Sequence, residues 1–130
     1  MKKMMFMVAA ILLIAGSAAA QSGWEVPAKD KAMKPTENLA DKSVIADGKA
    51  VWYKHCKACH GSKGLGDGPK GAMLKTDAGD FSSAKFQSQS DGSLYYKTIT
   101  GKGEMPSYAK KVTNEDDRWA LVAYMRSLKK

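Results

Sequence analysis

The chain has 130 residues and a formal net charge of +8, from 21 Lys and Arg against 13 Asp and Glu, a length that holds one domain and excludes two. Apolar residues crowd into positions 1–20, and only fifteen Leu, Ile, Val and Phe stand among the 110 that follow. That is too few for a protein-only core in so charged a chain, which leaves disorder, a partner surface, or something other than side chains at the centre.

The N-terminus reads as an export signal. Lys2 and Lys3 form a positive start, residues 4–15 are apolar, and Ala18, Ala19 and Ala20 are the small residues that precede a cleavage point. Cleavage falls before Gln21, so 1–20 is a signal peptide and the product is periplasmic or otherwise exported. Even counted from 4 to 20, about seventeen residues with Gly16 and Ser17 near the end, the segment is short for a membrane span of about twenty. Export also removes the nucleic-acid reading that a sequence pI ≈ 9.5 invites.

Residues 21–42 are polar, hold Pro27 and Pro35 and lack a period, as in an extended arm or linker that Trp24 and Val26 tack onto the body. From 43 to 130 the chain is a single domain. Val44, Ile45, Val51 and Trp52 share one side of a helix predicted over 43–57. Residues 61–71 carry five glycines and Pro69 and form a loop, and 76–90 reads mostly the same way. A short helix is predicted over 92–100, with Asp91 as its N-cap and Gly101 just past its end. The last helix starts at a Thr113 cap with acids at 115–117 and ends at Lys129 and Lys130. Its apolar stripe is Leu121, Met125 and Leu128, widened by Trp119 and Val122. No run alternates as a strand and no repeat is visible.

Cys56, Lys57, Ala58, Cys59 and His60 spell C-x-x-C-H, the attachment sequence of a c-type haem. Two thiols three positions apart near a helix end each add to one porphyrin vinyl group, and His60 then falls beneath the iron as axial ligand. A zinc site needs four ligands, and outside the motif only His55 is on offer. A thioredoxin-like dithiol needs alternating strands and helices, and a bare disulfide leaves His60 without a role.

With these residues the chain resembles class I cytochromes c over about 43–128, most closely the small bacterial monohaem members. Gly48 and Trp52 stand where the family has a small residue and an aromatic, and Leu121 to Met125 is similar to its C-terminal helix. Gly66 to Pro69 and Gly103 to Pro106 match patterns common in small bacterial members. The resemblance implies an all-α cytochrome c fold in which helices and loops enclose the haem and the two terminal helices cross, Tyr124 meeting Gly48. It also implies that the Pro69 carbonyl accepts from the second ring nitrogen of His60.

Four methionines remain after export, and Met105 is the best sixth ligand. Gly101 and Gly103 let its backbone approach the haem, and Pro106 stiffens the turn. Met125 belongs to the helix stripe, Met33 to the arm, and Met73 follows the proximal loop too soon. His55, the other candidate, adjoins Cys56 on the proximal side. In related cytochromes lysines ring the haem edge, and Lys54, Lys57, Lys63, Lys70, Lys75, Lys102, Lys110 and Lys111 cluster in sequence around the two ligand loops.

The expected protein is thus no bond-making enzyme. It is a one-electron carrier between redox proteins with acidic docking patches outside the cytoplasm, holding one covalent haem c. Two alternatives stay open: an electron-receiving haem subunit of a larger respiratory oxidoreductase or oxidase, and a five-coordinate haem sensor or peroxidase. In either case haem supplies the apolar body that the side chains lack.

Overall fold

The computed structural model describes residues 23–130, so the export signal and its cleavage point lie outside the described residues. Six helices follow in chain order: α1 (Ala28–Lys31), α2 (Lys42–His55), α3 (Lys57–His60), α4 (Ala84–Gln87), α5 (Asp91–Thr100) and α6 (Glu115–Ser127). A single 3₁₀ turn, Gly71–Met73, lies between α3 and α4. The described residues form no strand, only one isolated bridge between Lys102 and Met105, and the fold is all-α as expected.

Asp41 starts α2 by accepting from the Ser43 N–H at 2.7 Å and from its hydroxyl at 2.6 Å. The helix runs to His55, the backbone turns at Cys56, and α3 carries the rest of the C-x-x-C-H motif. Across the molecule α6 crosses α2 at Gly48. A Cβ built there would lie 1.8 Å from the Ala120 carbonyl oxygen, so only glycine permits this approach. Gly48 therefore meets Ala120. Tyr124, expected at that contact, packs one turn further on, its ring 5.6 Å from Trp52 and its hydroxyl donating to the Ser62 carbonyl at 2.9 Å.

The stripe expected on α6 is wider in the fold: all seven residues from Trp119 to Met125 are buried, whereas Leu128 is half-buried. The helix packs α2 on one side and α5 on another, where Tyr95 lies 4.5 Å from Trp119. Trp52, Leu94, Leu121 and Val122 share one core with Phe81.

Two caps and one short helix differ from the sequence expectation. Ser90, not Asp91, caps α5 through the Ser93 N–H, because the Asp91 carboxylate is drawn to Arg126 at 2.6 Å. The same guanidinium donates to the Gln87 and Gln89 carbonyls, tying the α4–α5 connection to the end of α6. Asn114, one residue after Thr113, caps α6 by accepting from Asp116 N–H at 2.8 Å. Helix α4, a single turn capped by Ser83, is too short to show a period in the stretch read as loop.

The segment expected to be an extended arm lies against the body. Val26 is buried, Met33 and Leu39 pack on the core, and α1 contacts α5. Gly92 makes this possible, since a Cβ there would lie 2.1 Å from the Asp30 carbonyl oxygen.

Replacing Gly48 with valine forces α2 and α6 apart at backbone level and is expected to cost about 3 kcal/mol of stability. Thermal unfolding of the haem-loaded protein checks this; an unchanged midpoint would refute the close-approach account.

Candidate functional site

The C-x-x-C-H motif is held from behind by backbone bonds. His60 and Cys59 N–H groups donate to the Cys56 carbonyl at 3.0 and 3.2 Å, which closes the α3 turn. Gly61, at φ +81°, ends it in a conformation that favours glycine. The glycine-rich loop then doubles back, and the carbonyls of α3 accept from it: Gly66 N–H on His60, Gly68 on Cys59 and Lys70 on Ala58, at 2.8–3.2 Å. A Cβ at Gly68 would sit 2.5 Å from the Ala58 oxygen, so the loop needs a bare backbone there. Trp52, fully buried, donates its indole N–H to the Gly61 carbonyl at 2.9 Å and fixes the end of α3 against α2.

His60 is lodged between aromatic rings, 4.8 Å from Phe81 and 5.6 Å from Trp52. Its Nδ1 stands 2.8 Å from the carbonyl oxygen of Ala78. A carbonyl only accepts, so Nδ1 carries the proton and Nε2 keeps its lone pair, the tautomer a metal ligand requires. Burial lowers the pKa of the imidazole, against an opposing effect of the Ala78 bond, and so favours the neutral form. The partner expected from the family resemblance, Pro69, is displaced from this role. It stands between Gly68 and Lys70, whose N–H groups face the α3 carbonyls, and the residue that reaches Nδ1 comes from the following segment. That segment returns to the loop through a Phe81 N–H donated to the Gly64 carbonyl at 2.7 Å.

The two cysteines form no disulfide with each other. Before haem is attached, burial, and secondarily Cys59, push the Cys56 thiol up to about 12, the mark of an apolar setting. Cys56, Cys59 and His60 line one cavity of about 520 Å³, within the roughly 300–1,000 Å³ of small-molecule and cofactor sites. Leu74, Phe81 and Phe86 add apolar wall.

Met105 lines the same cavity. It sits in a tight turn closed by two bonds between Lys102 and Met105, at 2.9 and 3.0 Å, with Gly101 and Gly103 at positive φ. The neighbouring Glu104 carboxylate accepts from the N–H groups of Lys75 and Thr76 and from the Thr76 hydroxyl at 2.9–3.1 Å. This joins the Met105 turn to the segment that leads to Ala78. The other methionines lie elsewhere: Met125 is buried in α6, Met33 packs on the core, and Met73 is 76% exposed. His55 is absent from the lining and its backbone carbonyl accepts from the Tyr108 hydroxyl at 3.0 Å.

Two thiols, a neutral imidazole of the right tautomer and an apolar cavity fit a covalent haem. A metal held by protein alone does not fit as well, since no group of three or more His, Cys, Asp or Glu gathers among the described residues. Residues 43–125 match the family described as cytochrome C oxidase, cbb3-type, subunit III.

The chain belongs to this family. It is a small monohaem class I c-type cytochrome that carries electrons and binds haem c covalently. Among solved structures it is similar to a chain of the Kuenenia stuttgartiensis reducing HAO-like protein complex, at 29% identity and a TM-score of 0.63, over 75% of this chain. This cytochrome spans about half of that longer chain, 51%. It is also similar to the KustC0563 c-type cytochrome, at 30% identity and a TM-score of 0.55, over 65% of this chain and 99% of that one. No curated protein matches it.

Sequence reading missed Ala78, Glu104 and Trp24, which also lines the cavity. The first acts through its backbone and leaves no side-chain signal, whereas the other two gain their places only when distant segments meet. The eight lysines read as a ring are all exposed, and of them Lys102 alone lines the cavity.

Changing Cys56 and Cys59 together to alanine is expected to abolish haem that survives acid–acetone extraction and to leave the chain with much less stable helix by circular dichroism. A well-folded, haem-free variant would contradict the idea that the cofactor completes the core.

Proposed function

We propose that this cytochrome shuttles single electrons between redox proteins outside the cytoplasm, with Cys56 and Cys59 bonded to haem and His60 and Met105 as the axial ligands. The observation that carries the ligand assignment is that Met105 is the only methionine among the described residues to line the cavity of the C-x-x-C-H motif. Residues 1–20 act as the export signal, 21–42 as an arm laid on the body, and 43–130 as the haem domain. Export suits a family whose haem is attached outside the cytoplasm.

Bound there, haem supplies a reversible one-electron change at iron. The protein's own residues set the conditions. The Ala78 carbonyl holds the His60 ring in one orientation and keeps Nε2 free for the metal. Met105 would offer the bound haem a neutral thioether, which would favour the reduced state relative to a second imidazole and leave the iron no open site. A filled coordination sphere needs little movement as the charge changes, which suits outer-sphere transfer and disfavours peroxidase or oxygen chemistry. The exposed lysines favour partners with acidic docking patches, whose approach they steer.

A second reading, as the electron-receiving haem subunit of a larger complex, draws support from the similar chain in the reducing HAO-like complex and from the family's description as an oxidase subunit. The arm, which packs on its own α5, lends that reading no weight. Co-purification and size-exclusion mass separate the two.

Met105→Ala should erase the weak far-red absorption band of methionine sulfur on oxidised iron and open the reduced protein to carbon monoxide at neutral pH. A wild type lacking that band would overturn the axial assignment. Transfer to an acidic redox partner should slow about tenfold between low and physiological salt; a flat rate would dismiss the lysine surface as a docking site.

A further inference from the structure

Lys97 is the one charged side chain of α5's last turn and points its ammonium group into a setting that lacks a counter-charge. It is half-buried and lines the haem cavity together with Trp24 and Gln89. Its Nζ donates to the Gln89 side-chain oxygen and lies 5.8 Å from the centre of the Trp24 ring, so both contacts in hand are neutral. The one ion pair among the described residues is Arg126 with Asp91, elsewhere in the fold.

The other charges around it do not answer this need. Lys31 on α1 and Lys102 beside the Met105 turn face it with the same sign. Of the acids that line the cavity, Glu104 is committed to Lys75 and Thr76, and Asp77 accepts from the Gly79 N–H at 2.9 Å. Burial, and secondarily Lys102 and Lys31, hold the ammonium below the usual lysine range. A half-buried cation in this position is stabilised by an anion delivered into the cavity.

We propose that Lys97, oriented by Gln89 and roofed by Trp24 of the N-terminal arm, is the binding site for a carboxylate of the haem. The arm then has an intramolecular task. Val26 and α1 anchor it on the body, and Trp24 shields the cation from water, which strengthens a charge-assisted hydrogen bond to a carboxylate. The site rests on haem in this cavity and not on which side chain completes the iron.

The test is the midpoint potential of the haem-loaded protein as a function of pH, for wild type, Lys97→Met and Lys97→Arg. Loss of the cation should lower the potential at neutral pH and raise the pH at which carboxylate protonation begins to affect it by about one unit. Lys97→Arg should restore both. A Lys97→Met profile superimposable on wild type would overturn the proposal. So would an unchanged profile with a weakened salt dependence of transfer to a partner, because that result places Lys97 in a docking surface. Should Lys97→Met fail to load haem, Nζ of Lys97 in the unsubstituted protein gives the answer by nitrogen resonance: a shift on changing the iron's oxidation state supports the contact, and an insensitive, freely exchanging ammonium refutes it. The far-red band separates this outcome from the Met105 assignment, since Lys97→Met should leave that band in place.

Discussion

The crossing of α2 and α6 at Gly48 and Ala120 is the contact on which the remaining geometry depends. It sets the line along which α2 delivers Cys56, and Trp52, one turn past the crossing, both packs against Tyr124 and donates to Gly61. The direction of α3, and so the aim of His60, follows from that pair of helices. Without a backbone-to-backbone approach the large side chains of α6 would hold the helices further apart, as in ordinary helix packing at 8–10 Å. A glycine at position 48 therefore serves the site although it lies two turns from the nearest cysteine.

The scarcity of Leu, Ile, Val and Phe after the export segment acquires a structural meaning here. The protein core is concentrated where α6 meets α2 and α5, and it is built largely from aromatics: Trp52, Phe81, Tyr95, Trp119 and Tyr124. Next to it the polypeptide encloses a cavity of about 520 Å³ rather than packed side chains. Aromatic side chains bury much area per residue, which lets a short list of them close one side of the core. Haem c closes the other. A chain of this composition thus folds around a body that its gene does not encode.

How much of this was legible in the sequence varies with the kind of signal. C-x-x-C-H is local and chemical, so the haem and its attachment could be read from five residues. Helices α2, α5 and α6 were readable because their periods and caps span enough residues, and their ends slipped by a residue or so where a tertiary partner intervened, as Arg126 does at Asp91. The His60 partner was not readable, because any carbonyl serves and the choice of Ala78 over Pro69 depends on how two loops cross. The arm was legible in part, since Val26 was read as tacking it to the body and is buried, whereas the single turn of α1 was not. The arm's lack of period correctly excluded a long helix, but its attachment depends on the bare backbone of Gly92 some sixty residues later.

The segment from Lys75 to Ala78 links the two sides of the cavity. At one end Lys75 and Thr76 hold the Glu104 carboxylate, adjacent to Met105; at the other the Ala78 carbonyl holds His60. Bonds to an ionised carboxylate are about twice as strong as neutral ones, and they hold Glu104 below the usual carboxylate range, the Lys75 N–H first among the causes. Four residues thereby connect the orientation of the imidazole to the position of the methionine turn. The connection runs from the turn through the Glu104 carboxylate to the backbone of residues 75–78 and on to His60. On the proposed ligation by His60 and Met105, such a link limits the ways in which either side moves alone.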